Sequence, residues 1–338
     1  MKPLLQALLL VSLLLTTACE HQELCYNHNE HAHRYHVNVI ADYLYDWEEC
    51  YGGVDWKVEW PDHYMPYDDL RPTKPTGIRV INTNQDGKSN THNIGADGGV
   101  VSLYKGVNNI LFYNNDTEYI LFSRGTHDAT TRATTRTRSR ASYQASKYAN
   151  EGEETMTAPD VLYANYYEGH IAEKLLEPEA MPVTLQPLVY TYKVRYEFDE
   201  GLEYVAGAQG ALTGMARSVT VNTGHTSEEA ATILFDAEVT DYGVRAIVTS
   251  FGLPDYPHSS YPTRSENKNA LNLELLLRNG RTVTFDFDVT DQMIYQPHGG
   301  VIVVKGISIK KDEGTQGEGA FDVEVNEWGD YEDVYLPI

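Results

Sequence analysis

Apolar and polar residues alternate with a period of two along much of this chain, and Gly, Asn and Asp interrupt the alternation every few residues. The clearest block is 98–122. Val100, Val101, Leu103 and Tyr104 form one apolar run, Val107 with Ile110, Leu111, Phe112 and Tyr113 a second, and Tyr119 to Phe122 a third. Lys105-Gly106 divides the first pair and Asn114-Asn115-Asp116 the second. Short β-branched and aromatic runs divided in this way predict antiparallel strands joined by tight turns. The block is expected to be the central meander of a β-sandwich. Residues 76–82 alternate as another strand, and Asp86-Gly87 after them predicts a hairpin turn.

The pattern restarts near Pro182. In 188–198, Val189, Thr191, Lys193, Arg195 and Glu197 alternate with Tyr190, Tyr192, Val194, Tyr196 and Phe198, as in a half-buried strand. Further strands are expected over 216–222, 232–239, 244–251, 271–277, 282–289, 301–309 and 320–325, with Asn279-Gly280 as a hairpin signal. The Gly-rich stretch 201–214 suits a tight crossing, and 170–177 a short helix or turn. Many short strands at regular spacing predict an all-β sandwich fold. The expected division is 1–18 signal peptide, 19–180 N-terminal β-sandwich domain and 181–338 C-terminal β-sandwich domain.

One segment has a different texture. Residues 123–142 hold Arg124, Arg132, Arg136, Arg138 and Arg140 among Thr, Ser and Ala, with no apolar period. This predicts a solvated basic loop, open to a protease at Arg132, Arg136, Arg138 and Arg140 or to an acidic partner.

The first 19 residues look like a lipoprotein leader. Lys2 is followed by an apolar run from Leu4 to Leu15, shorter than the roughly 20 residues of a membrane span. Thr16-Thr17-Ala18 then leads into Cys19, the expected site of lipidation with palmitate at an outer-membrane surface. The position usually held by Leu in such a motif is Thr16. Two other cysteines, Cys25 and Cys50, can close a disulfide in an exported protein or remain two thiols on separate strands.

Composition narrows the partners. A formal charge of -23 sets nucleic acids and anionic membranes aside as ligands. With 25 Tyr against 8 Phe, strands and half-wet surfaces are favoured, because the ring packs while the hydroxyl stays hydrated. Trp47, Trp56 and Trp60 cluster near Pro61 and Pro66, where they either stack on a glycan or partner or plug a sandwich end.

Candidate chemistry is sparse. His28, His31, His33 and His36 fall on both faces of an extended strand, so they do not converge on a metal. Asn82, Asn84, Asp86 and Gly87 echo a calcium loop, but position twelve is Asn93 instead of Glu. His298-Gly299-Gly300 resembles an oxyanion turn without any nucleophile elbow in the chain. Asp286, Asp288 and Asp291 resemble a carboxylate cluster, but Asp286 and Asp288 alternate with Phe285, Phe287 and Val289 as the wet side of a strand. The expectation is a non-catalytic protein with no metal and no cofactor.

Several stretches taken in order resemble a known family. They are LCYNH at 24–28, GIRVINTNQDG, GGVVSLYKGVNNILFYNNDTE, TAPDVLYA, GMARSVTVNTG and FDFDVTDQM. Together they resemble the fimbrillin-like surface lipoproteins of Bacteroidales-type bacteria over nearly the whole mature chain. The resemblance implies two tandem transthyretin-like sandwich domains, a lipid anchor in the outer membrane, and a role in pili or adhesion with other fimbrial subunits or surface proteins as partners. Stalk subunits of that superfamily polymerise by strand donation after an N-terminal strand is cut away. Here the Arg candidates lie at 123–142, away from the N-terminus. From Asp312 onward there are nine Asp/Glu and no Lys or Arg, so the tail is expected to be an edge strand kept soluble by charge, in preference to a donor strand. The leading expectation is a pilus component or adhesin; the alternative is a glycan-binding surface lipoprotein.

Overall fold

The computed structural model describes residues 35–44, 72–125, 130–257, 267–294, 296–315 and 332–334. Among them the chain forms strands and only short helical turns. The first half contains β1 (His36–Tyr43), β2 (Gly77–Asn84), β3 (Ser89–Gly95), β4 (Gly98–Ser102), β5 (Gly106–Asn114), β6 (Ile120–Arg124), β7 (Thr131–Thr135), β8 (Thr137–Ser139), β9 (Glu154–Thr157), β10 (Tyr163–Ala172) and β11 (Glu179–Pro187). The second contains β12 (Tyr190–Glu200), β13 (Val205–Ala216), β14 (Ser218–Thr220), β15 (Ala230–Val239), β16 (Gly243–Ser250), β17 (Ala270–Leu277), β18 (Thr282–Asp288), α1 (Thr290–Met293), β19 (Gly300–Ser308), α2 (Lys311–Thr315) and β20 (Glu332–Val334).

Seven strands close a barrel in the order β1-β11-β10-β5-β2-β3-β4. Val37, Val39, Ile78, Val80, Ile110, Phe112, Tyr163, Val183 and Leu185 fill its interior. The ring is joined by long ladders except at two places: β3 meets β4 at Gly95 and Gly98 alone, and β10 meets β11 at two residue pairs. The Asp86-Gly87 hairpin forms as expected. Gly87 takes φ 77°, and the Asn84 side-chain oxygen accepts from the amides of Asp86 (3.1 Å) and Lys88 (2.9 Å).

The expected meander is corrected. All three runs of 98–122 are strands, but they do not pair with one another. β4 pairs with β1 and β3, β5 with β2 and β10, and β6 with β7. Buried Asn108 supplies part of the reason. It accepts from Tyr104 N (2.9 Å) and donates to the Tyr104 (2.9 Å) and Gly106 (2.7 Å) carbonyls, fixing a bend where a hairpin would need a ladder.

A second, ten-stranded sheet runs β18-β17-β13-β15-β16-β12-β19 along its main path, with β9, β8 and β20 branching from β15. Its two arms share one core. Val194, Val244, Val248, Ile302 and Val304 lie on one side, and Ala208, Leu212, Ile233, Leu271, Leu273 and Leu275 on the other. The stretch 201–214, expected as a crossing, instead supplies most of β13, which lies between β15 and β17. Its glycines explain the difference. A Cβ on Gly210 would stand 2.3 Å from the Phe235 ring, so the missing side chain admits that ring onto the strand. Of the short helix or turn expected at 170–177, no helix forms: β10 runs through Ala172, and the chain bends at 176–177. Tyrosine goes deeper than half-wet surfaces: Tyr163, Tyr192 and Tyr196 are fully buried. The Tyr192 hydroxyl donates to Gln296 O (2.9 Å).

A third sheet, β14-β7-β6, lies where the other two meet. Leu111, Tyr113 and Ala164 from the outside of the barrel pack there with Ile120, Ala133 and Val219 of this sheet and with Phe251. The boundary expected near 180 falls within β11, a barrel strand, whereas β8 and β9, earlier in the chain, join the second sheet.

Candidate interaction surface

Among the described residues no group of three or more His, Cys, Asp or Glu side chains could hold a metal ion. The features best suited to function are surfaces. The most distinctive surrounds β1. This strand lies antiparallel to β4 and parallel to β11, with Ile40 opposite Gly98 on one side and Pro182 on the other. Val37, Val39 and Tyr43 point inward. Ile40, on the outer side, is 52% exposed, and Val100 on β4, opposite Asn38, is 56% exposed. Ala180, Pro182 and Thr184 present the exposed positions of β11 beside them. On a chain of charge -23, three adjacent strands therefore offer a mostly uncharged outer face.

The approach of β4 to β1 depends on Gly98. Its φ is 118°, and a Cβ there would stand 1.9 Å from the Val39 carbonyl oxygen. Tyr43 ties the same end of β1, donating from its hydroxyl to the Ala96 carbonyl (2.8 Å).

A second surface feature is cationic. On the outer side of β12 and β16, Arg195 stands opposite Arg245, and Lys193 opposite Ile247, which is 59% exposed. Burial, then the Arg245 and Arg195 charges, lower the Lys193 ammonium to a pKa of about 8. The arginines are neutralised locally. Arg245 donates to Glu238 (2.8 Å), and Arg195 lies 2.9 Å from Glu197 with its guanidinium over the Tyr242 ring.

The loop expected at 123–142 is corrected in part. Arg124 ends β6 and donates to Thr83 Oγ1 (2.7 Å) and Ser89 Oγ (2.8 Å). Arg132 is exposed on β7, and Arg136 and Arg138 are half-buried beside and on β8. Arg140 is buried, donating to the Gly210 carbonyl (3.3 Å) and standing 4.0 Å from the buried Glu274 carboxylate. The strands form because Thr131, Ala133 and Thr135 point inward, alternating with Arg132, Thr134 and Arg136. Small β-branched residues carry the period that larger apolar ones usually mark.

His298 stacks on Tyr190, ring centroids 4.6 Å apart, with the Tyr256 ring edge-on to it at 5.0 Å. Asp286 accepts from Asn272 Nδ2 (2.9 Å) on the neighbouring strand. His36 opens β1. Cys19, Cys25, Cys50, His28, His31, His33, Trp47, Trp56, Trp60 and the stretch 320–325 lie outside the described residues. Sequence reasoning missed the face around Ile40 and Val100. Its signal was an apolar residue in the polar phase of an otherwise alternating strand.

Comparison with known proteins bears on the family and the fold. A protein described as a candidate fimbrium anchoring subunit, Fim4B, from Bacteroides ovatus is 26% identical over 246 residues. The match spans 72% of this chain and 63% of that protein. A candidate adhesin of known crystal structure, also from Bacteroides ovatus, has the same fold, with a TM-score of 0.58 at 20% identity, covering 87% of this chain and 97% of that one. These matches bear out the resemblance to fimbrillin-like proteins. The family model described as a domain of unknown function, DUF5119, matches residues 67–236, from ahead of β2 into β15. The chain belongs to the DUF5119 family.

Proposed function

We propose that this protein is a non-catalytic cell-surface component of a fimbria, anchoring or adhesive, that works by protein–protein contact. The observation that carries this reading is the pairing of a closed barrel with an outer face on β1, β4 and β11 that is mostly uncharged, Asp42 excepted, and that exposes Ile40 and Val100. With β1 already seated between β4 and β11, that slot is closed to a donated strand, so the barrel suits a terminal subunit better than a repeating one. The likeness to a candidate fimbrium anchoring subunit supports the same reading. Ile40 and Val100 are the residues assigned to partner contact, and they suit the apolar centre of an interface.

The leader supports attachment to the outer membrane through lipid on Cys19. In this reading the two units are those of the fimbrillin superfamily, tandem transthyretin-like domains with their division near the end of β11. The test is capture of the lipidated protein from its native envelope. Fimbrial subunits should accompany the wild type and be depleted about tenfold or more from an Ile40→Asp/Val100→Asp variant, as loss of a central apolar contact implies. If polysaccharide alone accompanies both, the reading is wrong.

A further inference from the structure

The free side of β19 is occupied by two side-chain amides. β19 pairs with β12, and among the described strands it has no neighbour on its other side. An exposed edge of this kind would present a row of unpaired N–H and C=O groups. Here Gln292 donates from Nε2 to the Val303 carbonyl (2.9 Å) and accepts from the Val303 amide at Oε1 (2.9 Å). Gln296 does the same at Val301, donating to its carbonyl (2.9 Å) and accepting from its amide (2.5 Å). Each amide thus makes the two-bond exchange that a residue of an adjoining strand would make.

The spacing explains the match. Val301 and Val303 are two residues apart on a strand, about 6.6 Å. Gln292 and Gln296 are four residues apart on α1 and the turn continuing it, about 6 Å at helical rise. The order is reversed, so the helical segment runs against β19 as an antiparallel strand would. Gly300 is shaped to this arrangement, because a Cβ there would stand 1.7 Å from Gln296 Oε1. The Tyr192 hydroxyl holds the Gln296 carbonyl from the core side. In the Gly299-Gly300 pair that resembled an oxyanion turn, Gly300 therefore makes room for an amide, while Gly299 lies against the Thr191 backbone.

We propose that Gln292 and Gln296 act as a surrogate strand that closes the β19 edge against a second copy of this chain. On a membrane surface crowded with tethered copies, an open edge bearing Val301 and Val303 would pair with its own equivalent in a two-fold contact. The amides satisfy the backbone without offering a new edge of their own.

Hydrogen exchange and light scattering test this on the full chain. In the wild type, the Val301 and Val303 amides should be protected while the protein is monomeric. In Gln292→Ala/Gln296→Ala at low protein concentration, protection at these two amides should fall about tenfold or more, since two bonds at each residue are lost. At high concentration a dimer should appear and protection return. Gly300→Ala, which keeps both glutamines but displaces one amide, should lower protection at Val301 and leave Val303 closer to wild type. Circular dichroism establishes that each variant is folded. Unprotected Val301 and Val303 amides in the wild type would overturn the proposal without any variant. So would a folded double variant that stays monomeric at every concentration.

Discussion

Gly98 and Lys193 show how single residues carry consequences for the whole. Gly98→Ala forces a methyl group onto the Val39 carbonyl at a positive φ, so barrel closure should lose about 1–3 kcal/mol. A lower midpoint of urea unfolding with an unchanged slope would show it. Lys193 works through pH. Its folded pKa of about 8 lies below the ordinary 10.5, so the folded state disfavours its charged form. The unfolded chain binds the extra proton between those values, and stability from this group rises with pH across that window. Below about pH 8 the penalty is fully present. Lys193→Met should therefore melt above the wild type at pH 7, with the gap narrowing as pH approaches 10.5. A gap that does not change with pH would contradict the assignment.

At the scale of elements, Arg140 anchors the segment after β8 to the second sheet through Gly210 and Glu274. Removing the cation alone strands a buried carboxylate. Arg140→Ala should cost about 3–5 kcal/mol, whereas Arg140→Met with Glu274→Leu should be close to neutral. Chemical denaturation of the three proteins distinguishes these outcomes. The same segment shows what was legible in advance. Strands with large alternating side chains, such as β2, β12 and β17, stand where the periodicity predicts them. β7 was hidden because Thr and Ala fill its inner positions, and β13 because Gly210 yields its space to Phe235. Periodicity reveals which side of a strand is buried but not which strand lies beside it, so the expected meander was wrong in pairing though right in its strands. The face around Ile40 depends on that pairing, since β1, β4 and β11 are far apart in sequence. The amides on β19 were illegible for a similar reason: two glutamines carry no signal until an edge is placed beside them.

At the scale of the molecule, the barrel is completed by its first described strand and one of its last. β1 and β11 pair from Val37 with Glu179 to Tyr43 with Leu185. Contacts so distant along the chain form late, because the intervening loop must be closed first. A chain beginning at residue 45 should therefore retain its second sheet yet expose an apolar slot between β4 and β11. A peptide covering residues 35–44 added in trans should restore stability in proportion to its concentration. Near-ultraviolet circular dichroism during the titration reports the repacking of Tyr163, the ring against which Tyr43 sits at 5.3 Å.

The position of β1 between two neighbours also governs how the protein meets tension. A load on the chain ahead of Tyr35, directed along this strand, strains the β4 and β11 ladders lengthwise and together, so many bonds must yield at once and none can be peeled open singly. Survival under traction is then set by the rate of that one rupture. A fold built this way would survive drag even with only modest equilibrium stability.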